Sequence, residues 1–564
     1  MTQTKIQPET PTCNGPCCKA ARKYCAHRDA TVEQTWPGLH ETVLSWGPLP
    51  RNVTSLPKRI MSEREIVITE KTPETLVAEL AQGELKSVDV ARAFLNRAAL
   101  AQELVNCITE LLPDEALQRA QQLDDYFQAH GKPIGPLHGL PISVKEHMAM
   151  KDKTHDAGWC AWAERRAEEN SHILDILWNA GAVFYARTTQ PQALMQLETD
   201  NNLTGVTVNP FNRDLTCGGS SGGEGALIGF RGSCLGVGTD IGGSIRSPCA
   251  NQGLYGLRPS ALRLPLHGKG AIMLGNESIL GVIGPMSTSL EGVKLFVKTI
   301  LAAKPWLREP SLLAMPWRDD VSHFPSQNDR PRIRVGVMWN DGVVQPHPPI
   351  RRAMETLVQK LEKVDGVELV PWKPYKHAEA WQIISQLYYV DGGATLRQTA
   401  AESGELVLPM TEWILSQNKN NGRVLTPSEI WTLTRRREAY RMEYADHWNQ
   451  TATETGDEAN PVDVILCPAG PGAAPPHGHA RYWTYTAVWN LLDYPAMVFP
   501  VTAVDPELDQ PAVDFMAMNY EDEWNSRIYK PELYADAPVS LQLVARRHQD
   551  EKVVEALEYL QQYF

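Results

Sequence analysis

From residue 140 to the C-terminus the sequence alternates between helical and strand periodicity, and this alternation constrains the fold more than any other feature. LPISVKE (140–146) is an apolar run, SHILDILWNAGAVFYAR is a helical pattern followed by a strand, and GGEGALIGFRG is a short helix of small residues followed by the strand SCLGVGTD. The pattern continues through IRVGVMWND (333–341), RRAMETLVQKLEKVDG (351–366), VELVPWK, DVILCPAGPGAAPP (463–476), PVSLQLVARR (538–547) and the terminal DEKVVEALEYLQQYF. Apolar strands separated by helices predict an α/β fold, with a large twisted mixed sheet covered by helices on both faces. Upstream, Thr72 and Pro73 mark the start of a helix; a second helix follows from Ser87, a short strand at 106–112 and another helix at 113–131. Neither a repeat nor a linker interrupts the chain after residue 60, so residues 61–564 read as one catalytic domain. Residues 1–60 read as an irregular extension.

Composition narrows the function classes. The 564 residues are 43% hydrophobic and 21% charged, ordinary globular usage. The net charge of −13 disfavours nucleic acid as a partner, because phosphate contacts need a basic surface. MTQTKIQPETPTC lacks the apolar core of a signal peptide, and no stretch approaches the 18 apolar residues of a membrane span. A cytoplasmic protein without a membrane anchor is the expectation, with all ten cysteines reduced. Four of them, Cys13, Cys17, Cys18 and Cys25, crowd the N-terminus beside His27, but their spacing matches no common zinc site. No metal and no cofactor is expected.

Three features between residues 140 and 248 carry chemistry. Lys145 ends the apolar run LPISV. A strand buried on both faces strips an ammonium of water and lowers its pKa, which makes a general base; a strand-end lysine turning to solvent is the plainer alternative. CGGSSGGEGALIG (217–229) places Ser220 and Ser221 between glycine pairs before a helix. It lacks the closing G-K-[ST] of a phosphate loop and the glycine spacing of a dinucleotide fingerprint. It does fit G-x-S-x-G, which would make Ser221 the nucleophile of an α/β-hydrolase elbow. The third is GTDIGGSIRSP (238–248), where the successive amides of Ile241, Gly242, Gly243 and Ser244 can converge as an oxyanion hole. A tight turn is the alternative there.

Taken in order, LPISVKE, GGSSGGEGALIG and GTDIGGSIRSP resemble the amidase signature family of serine hydrolases. The resemblance extends through TTQPQALMQLETDNNLTGVTVNPF (188–211), GPMSTSLEG (284–292), LLDYPAMVFPV and APVSLQLVARRHQDEKV, and so covers roughly residues 70–564. KDKTHDAGWCAW resembles fungal acetamidase-type members most, and fatty acid amide hydrolase more distantly. The resemblance implies the amidase-signature fold and a Ser–Ser–Lys triad: Ser244 the nucleophile, Ser220 a bridging serine preceded by a cis peptide bond, and Lys145 the base. It implies hydrolysis of a small-molecule amide through an acyl-enzyme, with esters, carbamates or lactams as alternatives on the same site. A role as the amidotransferase subunit of a complex is a further alternative, as is homodimerisation. Leu194 and Met195, with Ser220, fall in the segment that borders substrate in the family. Trp159, Trp162, Trp483 and Trp489 are candidates for an aromatic wall. Asp240 and Arg246 are expected to hold the loop by ion pairing, and His147 to be a packed histidine.

Overall fold

The computed structural model describes residues 15–319, 323–324, 326–327, 330–420, 422–454 and 460–564. Eleven strands form one sheet: β1 (Ile108–Leu111), β2 (Pro141–Lys145), β3 (Val183–Thr188), β4 (Leu235–Asp240), β5 (Tyr255–Arg258), β6 (Val282–Ser287), β7 (Ile333–Val337), β8 (Val367–Pro371), β9 (Val464–Pro468), β10 (Ala496–Ala503) and β11 (Pro538–Val544). Their spatial order is β1-β3-β2-β4-β6-β5-β10-β11-β9-β7-β8. β2 runs parallel to both β3 and β4, and β7 parallel to both β8 and β9; the remaining pairs are antiparallel. β2, β3, β9 and β11 are buried along their whole length; β9 is accordingly apolar throughout, whereas β2, β3 and β11 also bury polar residues, among them Ser143, Lys145, Arg187 and Gln542.

The register between β2 and β4 positions the site. Ser143 lies opposite Gly236 and Val144 opposite Val237. Lys145, the last residue of β2, therefore stands beside the end of β4, where Thr239 and Asp240 lie. Loops leaving the carboxyl ends of neighbouring parallel strands are where open α/β sheets build their sites.

Two features were not expected. First, residues 16–35 are not irregular: Pro16–Thr35 is a 20-residue helix, α1, with proline at its first position. Its buried face is Ala21, Tyr24, Arg28, Thr31 and Val32, at helical spacing but with three polar members. Each polar member has a partner on the catalytic domain: Tyr24 Oη donates to Asp156 Oδ2 (2.7 Å), Arg28 Nη1 to Asn106 Oδ1 (3.1 Å), and Leu111 N–H to Thr31 Oγ1 (3.0 Å). Val32, Leu39, Val43, Val53 and Leu56 belong to the same core as the sheet. The segment is a cladding layer, and its polar inner face is why an apolar-stripe reading passed over it. Of the N-terminal cysteines, Cys13 lies outside the described residues. Cys18 is disulfide-bonded, against the expectation of reduced thiols, and the eight other described cysteines are free. Second, four helices, His377–Tyr388, Ala394–Ser403, Pro409–Ser416 and Pro427–Glu454, form an insertion that carries much of a second, tryptophan- and tyrosine-rich core.

Arg187 on β3 ties these layers together from a fully buried position. Its guanidinium donates to Glu110 Oε1 on β1 (2.6 Å), and to Glu146 O and Thr154 O (both 2.6 Å). His27 of α1 meets the other oxygen of Glu110 at 3.2 Å. Arg187→Met leaves two carboxylates without their cation, and removing one partner of a buried ion pair costs about 3–5 kcal/mol. Denaturant titration of the variant is expected to show that loss; an unchanged midpoint would refute this role for Arg187.

Candidate active site

Lys145 is fully buried, and its Nζ donates to three hydroxyls: Ser220 Oγ at 2.7 Å, Thr239 Oγ1 at 3.0 Å and Ser221 Oγ at 3.1 Å. No carboxylate forms a salt bridge with it among the described residues. Burial lowers its pKa to about 7, against the opposing charges of Asp240 and Glu224. Glu224 lies one layer below, with its oxygens held by the hydroxyls of Ser143 (2.6 Å) and Thr188 (2.8 Å). Burial raises its pKa to about 7, opposed by those two hydrogen bonds and the Lys145 charge.

The hydroxyl protons around Lys145 are directed. His147 Nδ1 lies 2.9 Å from Gly270 O, an atom that only accepts, so Nδ1 carries the ring proton. Burial and the Lys145 charge hold the His147 pKa well below its ordinary value, so the ring is neutral and Nε2 is an acceptor. Nε2 lies 3.1 Å from Thr239 Oγ1 and takes the threonine's proton, leaving that oxygen to accept from Lys145. Ser221 Oγ donates to Thr239 O at 3.3 Å and is likewise an acceptor toward Lys145. A neutral lysine has two N–H bonds and one lone pair. With its N–H bonds directed to Thr239 and Ser221, the lone pair is left for the proton of Ser220.

Ser220 and Ser221 immediately precede the helix Gly222–Gly229, and the Gly219–Ser220 peptide bond is cis. Gly219 permits this packing, because a Cβ there would meet Glu198 O at 2.1 Å and Gln196 O at 2.7 Å. Leu194 and Met195 lie just upstream of those carbonyls and are packed in the second core with Trp159 and Trp483. Ser244 follows β4 and is joined to the other serines by Ser221 N–H donating to Ser244 O at 3.1 Å. Its side chain has no hydrogen-bond partner among the described residues. All three are buried, with Lys145 at 0%, Ser220 at 2% and Ser244 at 5% exposure.

The loop 240–246 is fixed peptide by peptide. Tyr388 Oη donates to Ile241 O (2.9 Å), Thr486 Oγ1 to Gly242 O (2.6 Å), and Ser247 N–H to Gly243 O (2.7 Å). In a trans peptide the N–H points away from the C=O, so each pinned carbonyl sets the direction of the next amide. Asp240 and Arg246, expected to pair, do so bidentately: Nε to Oδ2 and Nη2 to Oδ1, both 3.0 Å, with both side chains fully buried. Asn490 Nδ2 adds a bond to Asp240 at 2.9 Å. Burial alone would raise the Asp240 pKa, but Arg246 and Asn490 hold it well below the usual carboxylate range. Asp240 also corrects one expectation. Gly243 N–H donates to its Oδ1 at 2.9 Å, so Gly243 is committed to the latch and only the amides of Ile241, Gly242 and Ser244 remain candidates for an oxyanion hole. Gly243 has φ +133°, and a Cβ there would meet Thr486 Oγ1 at 2.4 Å.

Of the four candidate wall tryptophans, Trp159 and Trp489 are sealed in the core and Trp162 is partly buried. Trp483 lies against the loop, where a methyl group on Gly242 would meet its ring at 3.3 Å. It also lines a cavity of about 510 Å³ with Trp381 and Trp413, whose rings each lie 6.0 Å from its own. Sequence reading missed Thr239, Tyr388, Thr486 and Asn490. Only Thr239 lies inside a motif; the others carry no local signal.

Comparison with known proteins agrees with this architecture. The Amidase family model matches residues 89–554. The chain is 48% identical over 546 residues to a Schizosaccharomyces pombe protein classed as an amidase, covering 95% of this chain and 97% of that one. It is 42% identical over 510 residues to an acetamidase of Emericella nidulans, covering 90% and 92%. A solved fatty acid amide hydrolase superposes with a TM-score of 0.88 at 34% identity, covering 100% of this chain and 97% of the other. Sequence, fold and site together show that the chain belongs to the amidase family and is an amide hydrolase.

Proposed function

We propose that this enzyme cleaves the C–N bond of a small-molecule carboxamide through an acyl-enzyme on Ser244, with Ser220 and Lys145 moving the proton. The observation that carries the reading is a fully buried lysine, in no salt bridge among the described residues, at 2.7 Å from a serine hydroxyl; burial lowers its pKa to about 7. In the proposed cycle Ser244 Oγ attacks the carbonyl carbon and passes its proton to Ser220, whose own proton goes to the lone pair of Lys145. The tetrahedral oxyanion is held by the amides of Ile241, Gly242 and Ser244. The proton then returns through Ser220 to the leaving nitrogen, which departs as ammonia or an amine. Water cleaves the acyl-enzyme by the same route. Esters, carbamates and lactams present the same carbonyl to the same groups.

The Ser221 elbow is the weaker reading, since Ser221 Oγ is occupied by Lys145 and Thr239. The relatives named acetamidase favour short acyl groups, bordered on the Ser220 side by Leu194 and Met195 and at the loop by Trp483, whose ring lies against Gly242. Among the described residues no helix is long and apolar enough to cross a membrane, which is compatible with the cytosolic setting we propose.

Ser244→Ala is expected to lower kcat by at least about 10⁴-fold and to abolish labelling by a fluorophosphonate, whose adduct in the parent enzyme maps to Ser244; an adduct on Ser221 would overturn the assignment. The base acts in its neutral form, so kcat/KM should fall as pH drops through about 7 and level off above it. Glu224→Gln removes a charge that favours the protonated lysine, so the same limb should move to lower pH; a shift upward contradicts the electrostatic argument. His147→Ala frees the Thr239 proton to compete for the lysine lone pair. It should reduce kcat by about tenfold or more, within the range of general-base effects, and leave KM nearly unchanged. A pure KM effect would place His147 in substrate binding instead.

A further inference from the structure

α1 meets the catalytic domain along a narrow seam that the mechanism does not use. Cys17, Ala20 and Tyr24 recur at i, i+3 and i+7 and so share one helical face. They pack with Cys160, Ala163 and Leu203 in a small apolar cluster separate from the main core. Within it Cys17 Sγ and Cys160 Sγ lie 3.0 Å apart, about 1 Å beyond the length of a disulfide bond. Cys25, Cys217 and Cys249 instead direct their thiols to backbone carbonyls.

The two thiols are unequal. Cys17 is half-buried, within reach of a small solute, whereas Cys160 is 4% exposed. The hydrogen bond with Cys160 lowers the Cys17 pKa, while that same bond and burial raise the Cys160 pKa. Of the two, Cys17 is the more accessible and the one whose thiolate form is favoured, and a thiolate is the nucleophile in thiol oxidation.

We propose that Cys17 and Cys160 are a redox modification site: a peroxide converts them to a reversible disulfide that fastens α1 to the loop carrying Cys160. In the first step the Cys17 thiolate attacks one peroxide oxygen, the O–O bond breaks, and the departing hydroxide takes a proton to become water. Cys17 is then a sulfenic acid. The sulfur of Cys160 attacks the sulfenic sulfur, the S–O bond breaks, and the second oxygen leaves as water with the proton of Cys160. Two thiols have lost two electrons, the peroxide has gained them, and a dithiol reductant reverses the change.

What the bond fastens lies next to the site. On one side, the loop holds the residue after Lys145: Asp156 N–H and Ala157 N–H donate to the Glu146 carboxylate at 2.8 and 3.2 Å, and Tyr24 reaches Asp156 from α1. On the other, Cys160 N–H donates to Glu405 Oε1 at 2.9 Å. Glu405 also receives Gln192 Nε2 at 3.2 Å, and Gln192 opens the turn containing Leu194. A Cys17–Cys160 bond closes a long stretch of chain and restrains opening of this loop.

The test uses the full-length protein treated with dilute hydrogen peroxide or with dithiothreitol, then alkylated, digested and mapped by mass spectrometry. The expected result is a linked peptide pair containing Cys17 and Cys160 that disappears on reduction. It should be accompanied by a Tm higher by a few degrees and slower amide hydrogen exchange across residues 156–163 in the oxidised form. In a Cys18→Ser background, which removes the other disulfide, Cys17→Ser and Cys160→Ser should each abolish the link and the Tm shift while keeping reduced-state amidase activity within about twofold; Cys160→Ala replaces Cys160→Ser if the serine variant misfolds. Cys18→Ser should keep the link. The proposal fails if peroxide carries Cys17 to sulfinic acid while Cys160 stays alkylatable, or if Cys160 is found linked to Cys18. It also fails if the link forms without altering Tm or exchange.

Discussion

A fully buried lysine whose Nζ meets three hydroxyls and, among the described residues, forms no salt bridge is the constraint on which the site depends. An ammonium in that position is poorly solvated, and the structure answers by lowering its proton affinity to near neutrality instead of neutralising it with an adjacent anion. Two carboxylates are close enough to act on Lys145 through space, but each is occupied. Asp240 is bound by Arg246 and Asn490, and Glu224 by two hydroxyls. Either carboxylate in direct contact would return the lysine to its charged form and remove the base we propose.

The same economy governs the loop after β4. Asp240 and Arg246 are six residues apart and fully buried, and their bidentate pair closes the turn that presents Ser244. The latch takes the Gly243 amide for itself and leaves its neighbours available. A loop that arranges backbone donors for a transient negative charge must be rigid before the charge appears, because reorganising dipoles during the reaction would consume the stabilisation they provide. Three pinned carbonyls in succession supply that rigidity.

Much of this was legible in the sequence, for physical reasons that differ by element. Strands buried on both faces tend to apolar runs, so β9, apolar throughout, and β2, broken only by Ser143 before Lys145, announce themselves. Ser220 and Ser244 lie in stretches where glycine and serine are packed too densely for ordinary structure, and Lys145 ends an apolar run where a charge is out of place. α1 was not legible, because its inner face carries Tyr24, Arg28 and Thr31, whose partners are supplied by distant segments. The insertion helices 377–454 escaped for a related reason: their role in the site is a single hydroxyl, that of Tyr388, which nothing nearby in the sequence distinguishes from any buried tyrosine. Gly243 was misread because successive amides in one motif look equivalent until a side chain three residues upstream claims one of them.

Tyr388 comes from the insertion, and Thr486 from a helix that follows it, yet together they set the angle of the peptides that we propose face the substrate carbonyl. The part of the chain that carries the reacting groups is thus separate from the part that aims the field upon them. Change in the insertion can retune turnover while every residue of the glycine–serine stretches stays the same, and two chains with identical reacting groups need not be equally fast.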